Sequence, residues 1–193
     1  VAGSNGGLFS IAANGDVTFN PNGAFESLAV GETATTSFTY QISDGQGGTD
    51  TATVTVTVTG ENDAPTAIGT VTTQAGNDAQ TITPFDLSGY FTDVDASDTL
   101  TFADGGTLPP GLSIHPTTGV VSGTIAANAS VGAPYSVVIT ANDGNGGSVT
   151  QSFTWNVTNP APTANDDSFS ADENDASAVI GNAITNLGGL DTD

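Results

Sequence analysis

The stretch TATVTVTVTGENDAPTA, residues 51–67, sets the reading of the whole chain. Val54, Val56 and Val58 fall on one side of an extended backbone and Thr53, Thr55, Thr57 and Thr59 on the other, which is the two-residue period of a half-buried strand. The run stops at Gly60 and gives way to a polar segment closed by Pro65. The same alternation recurs further on: Tyr135, Val137 and Ile139 share one face, and so do Phe153, Trp155 and Val157. Clusters of turn-forming residues, NPNG, DGQGG, PPG, HPTTG and DGNGG, separate these runs, and helical spacing is scarce. The pattern predicts an all-β chain of antiparallel sandwiches, with Trp155 on an inward face.

Glu61 and Asp63, which follow the alternating run, have no basic side chain to meet. The 193 residues include 21 acids, four of them Glu, against no Lys, no Arg and one His. Crowded carboxylates must therefore be solvated, protonated or bound to a cation. A net charge of -21 repels nucleic acids and anionic membrane surfaces, and both drop out as partners. With no Cys there is neither a disulfide frame nor a thiolate metal site. The apolar runs are too short to insert into a bilayer, and the N-terminus lacks the order of a signal peptide. The expectation is a soluble piece from inside a larger chain.

Two passages repeat. YQISDGQGGTDTATVTVTVTGENDAPTA from Tyr40 is echoed by SVVITANDGNGGSVTQSFTWNVTNPAPTA from Ser136, so that Asp44 corresponds to Asp143 and Pro65 to Pro162. The NDA of residues 77–79 recurs at 174–176, and the pair Asp93 and Asp95 recurs as Asp191 and Asp193. The period is about one hundred residues, one domain's worth. It divides the chain into a head, 1–63, comprising the C-terminal two thirds of a repeat; a complete middle repeat, 64–160; and a tail, 161–193, comprising the N-terminal third of a further, split repeat.

Sandwich topology brings the acids together. The last strand of the middle repeat runs to the exit pole, so the hairpin before it, carrying Asp143, lies at the entry pole. An opening strand descends and turns near Asp78, and the strand that climbs back delivers Asp93, Asp95 and Asp98 to the entry pole. The linker arrives there with Glu61, Asn62 and Asp63. Like charges a few ångströms apart repel by roughly 4 kcal/mol per pair at an effective dielectric of 20, and a divalent cation removes that cost. Calcium, with six to eight oxygen ligands and loose geometry, suits Asp, Asn and Gly turns better than magnesium. The expected ligands are Glu61, Asn62, Asp63, Asp93, Asp95 and Asp143, with Asp98, Asp44, Asp78, Asp172, Glu173, Asp175, Asp191 and Asp193 as further candidates. Asp16, Glu26, Glu32, Asp50 and Asp104 are read as solvated or turn acids. DVDASD lacks the glycine and distal Glu of an EF-hand loop, so ligands must come from distant segments.

The ENDAP linker, the Asp93 and Asp95 pair and the ANDGNGG hairpin resemble the calcium-binding elements of cadherin-like domains. Residues 65–160 look like a bacterial dystroglycan-type cadherin-like repeat through GYFTDVDASDTLTF, LPPGLSIHPTTGVVSGT and YSVVITANDGNGGSV. Residues 1–63 and 161–193 resemble the later and opening parts of related VCBS-like repeats in giant repeats-in-toxin (RTX) adhesins of Gram-negative bacteria. The resemblance implies tandem immunoglobulin-like, Greek-key sandwiches in a rod with calcium-bound linkers. It implies an extracellular extender at the bacterial cell surface, exported by type I secretion, that holds ligand-binding domains in adhesion and biofilm formation. The second linker, TNPAP, has Asn159 and Asn165 where the first has Glu61 and Asp63, which departs from the calcium pattern.

No thiol, no Ser-His-Asp elbow and no phosphate-cradling loop before a helix is present, so an enzyme is not expected. Two functions of different class remain. One is a calcium-stabilised structural scaffold; the other is a carbohydrate- or peptide-binding module of the same adhesin. Partners follow from the arithmetic of the repeats: neighbouring repeats of the same adhesin, and head-to-tail complementation in which the tail of one chain completes the head of the next.

Overall fold

The computed structural model describes residues 1–161 of the 193. These residues form strands, turns and two short 3-10 turns, Ser88–Tyr90 and Ala129–Gly132, with no α-helix among them. The all-β sandwich fold is as the alternation implies.

The head has four strands, β1 (Leu8–Ile11), β2 (Val17–Asn20), β3 (Thr33–Ser43) and β4 (Thr49–Thr59). They make two antiparallel pairs, β1 with β2 and β3 with β4. The alternating run of residues 51–59 lies within β4, opposite β3 in the register Phe38↔Val54, Thr36↔Val56 and Ala34↔Val58. Phe9 joins the two pairs, with its ring 4.8 Å from Phe19 and 4.6 Å from Phe38.

The middle repeat holds β5 (Thr66–Ala67), β6 (Gln74–Asn77), β7 (Phe85–Asp86), β8 (Phe91–Thr92), β9 (Thr101–Ala103), β10 (Leu112–Ile114), β11 (Val120–Gly123), β12 (Tyr135–Asn142) and β13 (Ser148–Thr158). One sheet has the order β6-β13-β12-β9, the other β10-β11-β7, and β5 pairs with β8 as a short ribbon. The opening strand is therefore split. Its first piece, β5, stays at the linker, and its second piece, β6, joins β13 in parallel, Trp155↔Gln74 to Thr158↔Asn77.

Between the sheets lies a core in which Leu87, Val121, Val137, Ile139 and Ala141 have no exposed surface. Trp155 is buried there, its ring 6.3 Å from that of Phe153, as its inward position predicts. Each large apolar side chain so buried stabilises the fold by about 1.5–3 kcal/mol. β12 and β13 pair over eight residues, from Tyr135↔Trp155 to Asn142↔Ser148, and the hairpin that joins them is held at the linker end of the sandwich. The core fixes where that hairpin goes.

Candidate metal centre

Strand register explains why three segments meet. β5 leaves the linker, and its antiparallel partner β8 ends at Thr92 opposite Thr66, which sets Asp93 beside the linker. β9 begins at Thr101 opposite Asn142, which sets the loop of residues 93–100 beside the β12–β13 hairpin. Neither pairing is local in sequence.

The carboxylates so gathered are close. Asp93, Asp98 and Asp143 each offer an oxygen, and these lie within 4.8 Å of one another. Asp95 and Asp143 are buried. Asp95 Oδ2 accepts from the Asp63 N–H at 2.8 Å, tying the loop to the linker. The Asn62 Nδ2 donates to Asp143 Oδ2 at 3.0 Å, tying the linker to the hairpin. Asn145 Nδ2 donates to Asp98 Oδ2 at 2.9 Å and closes the ring between hairpin and loop.

Asp143 is organised by its own turn. Its Oδ1 accepts from the Asn145 N–H at 2.7 Å, and the Gly147 N–H reaches both oxygens at 3.0 Å. A side chain at residue 147 has no room, because a Cβ there would stand 2.1 Å from Asp143 Oδ2 and 2.8 Å from Ala64 Cα. The Asn62 amide holds the Asp143 carboxyl below its ordinary value of 3.8; burial opposes this, and the N–H groups of Asn145, Gly147 and Gly146 reinforce it. The carboxylate is thus kept ionised while facing two others.

What remains around these groups is a set of oxygens without donors. Asn62 Oδ1, Asp93 Oδ2 and Asp95 Oδ1 are buried and have no hydrogen-bond partner. A buried acceptor left unmade costs about 1–3 kcal/mol, more when charged, and three on adjoining residues call for a common partner. The sequence has no Lys or Arg to supply one. His115, the one imidazole, is exposed in the β10–β11 hairpin, where its Nδ1 accepts from the Thr117 and Thr118 N–H groups. Oxygen-only donors, several of them anionic, are the chemistry of a hard divalent cation, and the residues present fit calcium.

The head adds a second face to this junction. Glu61, exposed, lines a cavity of about 280 Å³ together with Asn62, Asp63 and Glu26. Glu26 sits in the loop between β2 and β3, which also gives the Ser27 carbonyl that accepts from the Ala96 N–H at 3.3 Å across the two repeats. Glu26 is exposed, as a solvated acid is, and the fold places it beside this cavity. The signal was available in strand parity, since a β2–β3 connection returns to the end of the head where β4 exits.

Two other candidates lie outside the cluster. Asp44 occupies the β3–β4 hairpin and accepts from the Gln46 and Gly48 N–H groups at 2.8 and 2.9 Å, the same turn chemistry as Asp143. Asp78, buried after β6, accepts from the Ser130 N–H at 2.8 Å and from the Ser130 hydroxyl, and its own N–H donates to the Thr158 carbonyl. Its oxygens are taken by the 3-10 turn they anchor. Asp172, Glu173, Asp175, Asp191 and Asp193 lie outside the described residues, as does the second linker beyond Ala161.

Comparisons with known proteins agree with the architecture. Residues 1–60 match the family described as Bacterial cadherin-like domain, and residues 64–158 match the family described as Putative Ig domain. Among solved structures, mouse cadherin-23 EC22–24 is similar at 16% identity, covering 82% of this chain and 52% of that one, with a TM-score of 0.55. Protocadherin gamma B2 extracellular cadherin domains 1–5 is similar at 12% identity, covering 82% of this chain and 32% of that one, with a TM-score of 0.53. A protocadherin gammaB7 EC3–6 cis-dimer structure is similar at 14% identity, covering 81% and 40%, with a TM-score of 0.51. The chain spans about half the length of these structures or less, and at such identities the likeness is one of fold. The comparison with curated proteins found no match. The chain therefore carries cadherin-like and Ig-like β-sandwich repeats in tandem. No helix among the described residues is long and apolar enough to cross a membrane.

Proposed function

We propose that this chain is a calcium-stabilised structural extender of a bacterial cell-surface adhesin, in which calcium fixes the junction between head and middle repeat. The observation that carries the reading is the set of buried, partnerless oxygens on Asn62, Asp93 and Asp95, beside the close carboxylates of Asp93, Asp98 and Asp143, in a chain without Lys or Arg. Those five residues would hold the ion, and Glu61, Asp63 and Glu26 would serve the head-facing side. Calcium there supplies positive charge to three segments that otherwise repel. The result is a stiff joint between two sandwiches, which is what a spacer needs and an enzyme does not.

The match of the head to a bacterial cadherin-like family supports an extracellular setting, and type I secretion is part of the proposal through the resemblance to RTX adhesins alone. A carbohydrate- or peptide-binding role for the middle repeat is less well supported, because its one Trp is 2% exposed and packs in the core. Calorimetric titration tests the proposal. The chain should bind calcium, Asp143→Asn should weaken that binding, and Asp44→Asn, altering the same turn without the facing segments, should leave it unchanged. Absence of calcium binding, or equal effects of the two substitutions, overturns it.

A further inference from the structure

The hairpin that carries Asp143 to the junction closes through Asn142, Asp143, Gly144, Asn145, Gly146 and Gly147. Asn145 and Gly146 are both exposed. Glycine presents its nitrogen to the preceding side chain with no Cβ in the way, and Gly146 sits at φ 112, where other residues are strained. Three further Asn–Gly steps occur in the chain, at 5–6, 14–15 and 22–23. The backbone separates them. The Gly6 N–H donates to the Gly3 carbonyl at 3.3 Å and the Gly15 N–H to the Ala12 carbonyl at 2.9 Å, so both nitrogens are engaged. Those of Gly23 and Gly146 make no backbone hydrogen bond among the described residues. The Gly146 N–H is turned to the Asp143 carboxylate instead.

We propose that Asn145 is a modification site, at which the side-chain amide converts to a carboxylate after intramolecular attack by the Gly146 nitrogen. The reaction needs no partner but water. The Gly146 nitrogen bonds to Asn145 Cγ, the Cγ–Nδ2 bond breaks, and the Gly146 proton departs with Nδ2 as ammonia. Water then opens the cyclic imide. Hydrolysis of the new N–Cγ bond gives Asp at residue 145, and hydrolysis of the original main-chain bond between residues 145 and 146 gives isoaspartate.

The consequence lies in what Asn145 touches. Its Nδ2 donates to Asp98 Oδ2 at 2.9 Å, and Asp98 stands with Asp93 and Asp143, their oxygens within 4.8 Å of one another. Conversion replaces a donor by a charged acceptor, so the hydrogen bond that ties hairpin to loop becomes a repulsion, and three neighbouring carboxylates become four. The metal-free junction is weakened. On the reading that calcium occupies the junction, the new carboxylate also offers the ion a ligand, and the joint depends more on calcium as the chain ages. In the head hairpin the corresponding residue is Gln46, whose longer side chain closes on the next nitrogen far more slowly.

Peptide mapping tests the site on the full chain. Trypsin has no Lys or Arg to cut, but chymotryptic cleavage after Tyr135 and Phe153 releases residues 136–153, and cleavage after Leu8, Phe9, Phe19 and Phe25 puts the other three steps in separate peptides. The chain is held at mildly alkaline pH in chelator and sampled by mass spectrometry. Conversion of amide to acid should appear at residue 145, as Asp and isoaspartate, roughly two- to tenfold faster than at Asn5 and Asn14, the range set by the net strength of one backbone hydrogen bond. No conversion at residue 145, or conversion no faster than at Asn5 and Asn14, overturns the inference. Asn145→Asp tests the consequence: it should melt a few degrees below the parent in chelator and gain more from added calcium. A variant that melts no lower in chelator overturns the weakening of the junction. The mass readout and the melting temperature in chelator need no bound ion, so their failure is distinct from failure of the calcium titration.

Discussion

Asp98→Asn separates the two forces that act in the acidic junction. The substitution keeps the shape and an oxygen to accept from Asn145 Nδ2, and removes one charge from the group of three. Two unit charges 4.8 Å apart at an effective dielectric of 20 repel by about 3.5 kcal/mol. A Debye length of about 8 Å at physiological ionic strength reduces this to about 2 kcal/mol. Asp98 has two such neighbours and is half-buried, so its neutralisation should stabilise the calcium-free chain by roughly 2–4 kcal/mol. For a domain of this size the melting temperature in chelator should rise by on the order of 10 °C. In calcium the second force enters. Metal present at one hundred times its dissociation constant stabilises the folded state by about 2.7 kcal/mol, and a ligand loss that weakens binding about one hundredfold leaves about 0.4. The assay is thermal unfolding of parent and variant, each in calcium and in chelator at matched ionic strength. The expected pattern is a higher melting temperature in chelator together with a collapsed calcium increment. A variant that melts no higher than the parent in chelator refutes the crowding of charged carboxylates. Equal calcium increments in the two proteins refute Asp98 as a ligand.

Three further outcomes follow from single contacts. Gly60→Ala should destabilise the head, because a Cβ there would stand 2.2 Å from the Leu28 carbonyl oxygen and 2.4 Å from that of Ala29, both backbone atoms that cannot yield cheaply; chemical denaturation that leaves the head transition in place counts against this. Trp155→Ala should cost about 3–5 kcal/mol by emptying the core, whereas Trp155→Phe should cost far less, since the buried Trp155 Nε1 has no hydrogen-bond partner to lose; equal losses in denaturant titration would mean that the indole N–H contributes after all. The Ser88 hydroxyl, and after it the Ser88 N–H, lower the Asp86 carboxyl below 3.8. That contribution to stability is present above the ordinary carboxylate value and is lost as pH falls through the lowered one, so Ser88→Ala should move the Asp86 titration by NMR back toward 3.8. An unmoved midpoint would assign the shift elsewhere.

The sequence by itself determined the class of fold and the problem its acids pose. Alternation at Val54, Val56 and Val58, or at Phe153, Trp155 and Val157, is a local property that needs no partner to be read, and the absence of Lys and Arg is a matter of counting. It also offered candidate ligands, because the linker, the Asp93 and Asp95 pair and the Asp143 hairpin each carry their own pattern, but it placed Asp98 below Glu61 and Asp63, whereas the fold sets Asp98 beside Asp93 and Asp143. What it did not separate is Asp143 from Asp44. SDGQGG and NDGNGG make the same turn, with the same N–H groups on the carboxylate, and the difference lies in what faces them. Asn62 and the loop of residues 93–98 face Asp143 only because β8 returns antiparallel to β5 and β9 begins opposite the end of β12. The same holds for Asp78, whose oxygens are engaged by Ser130, 52 positions away, and for Glu26, which reaches the junction through a loop of the other repeat. Side-chain alternation is set within a strand, whereas ligand convergence is set by the pairing register between strands far apart in the chain. Only the assembled sandwich decided which acceptors were buried without a partner.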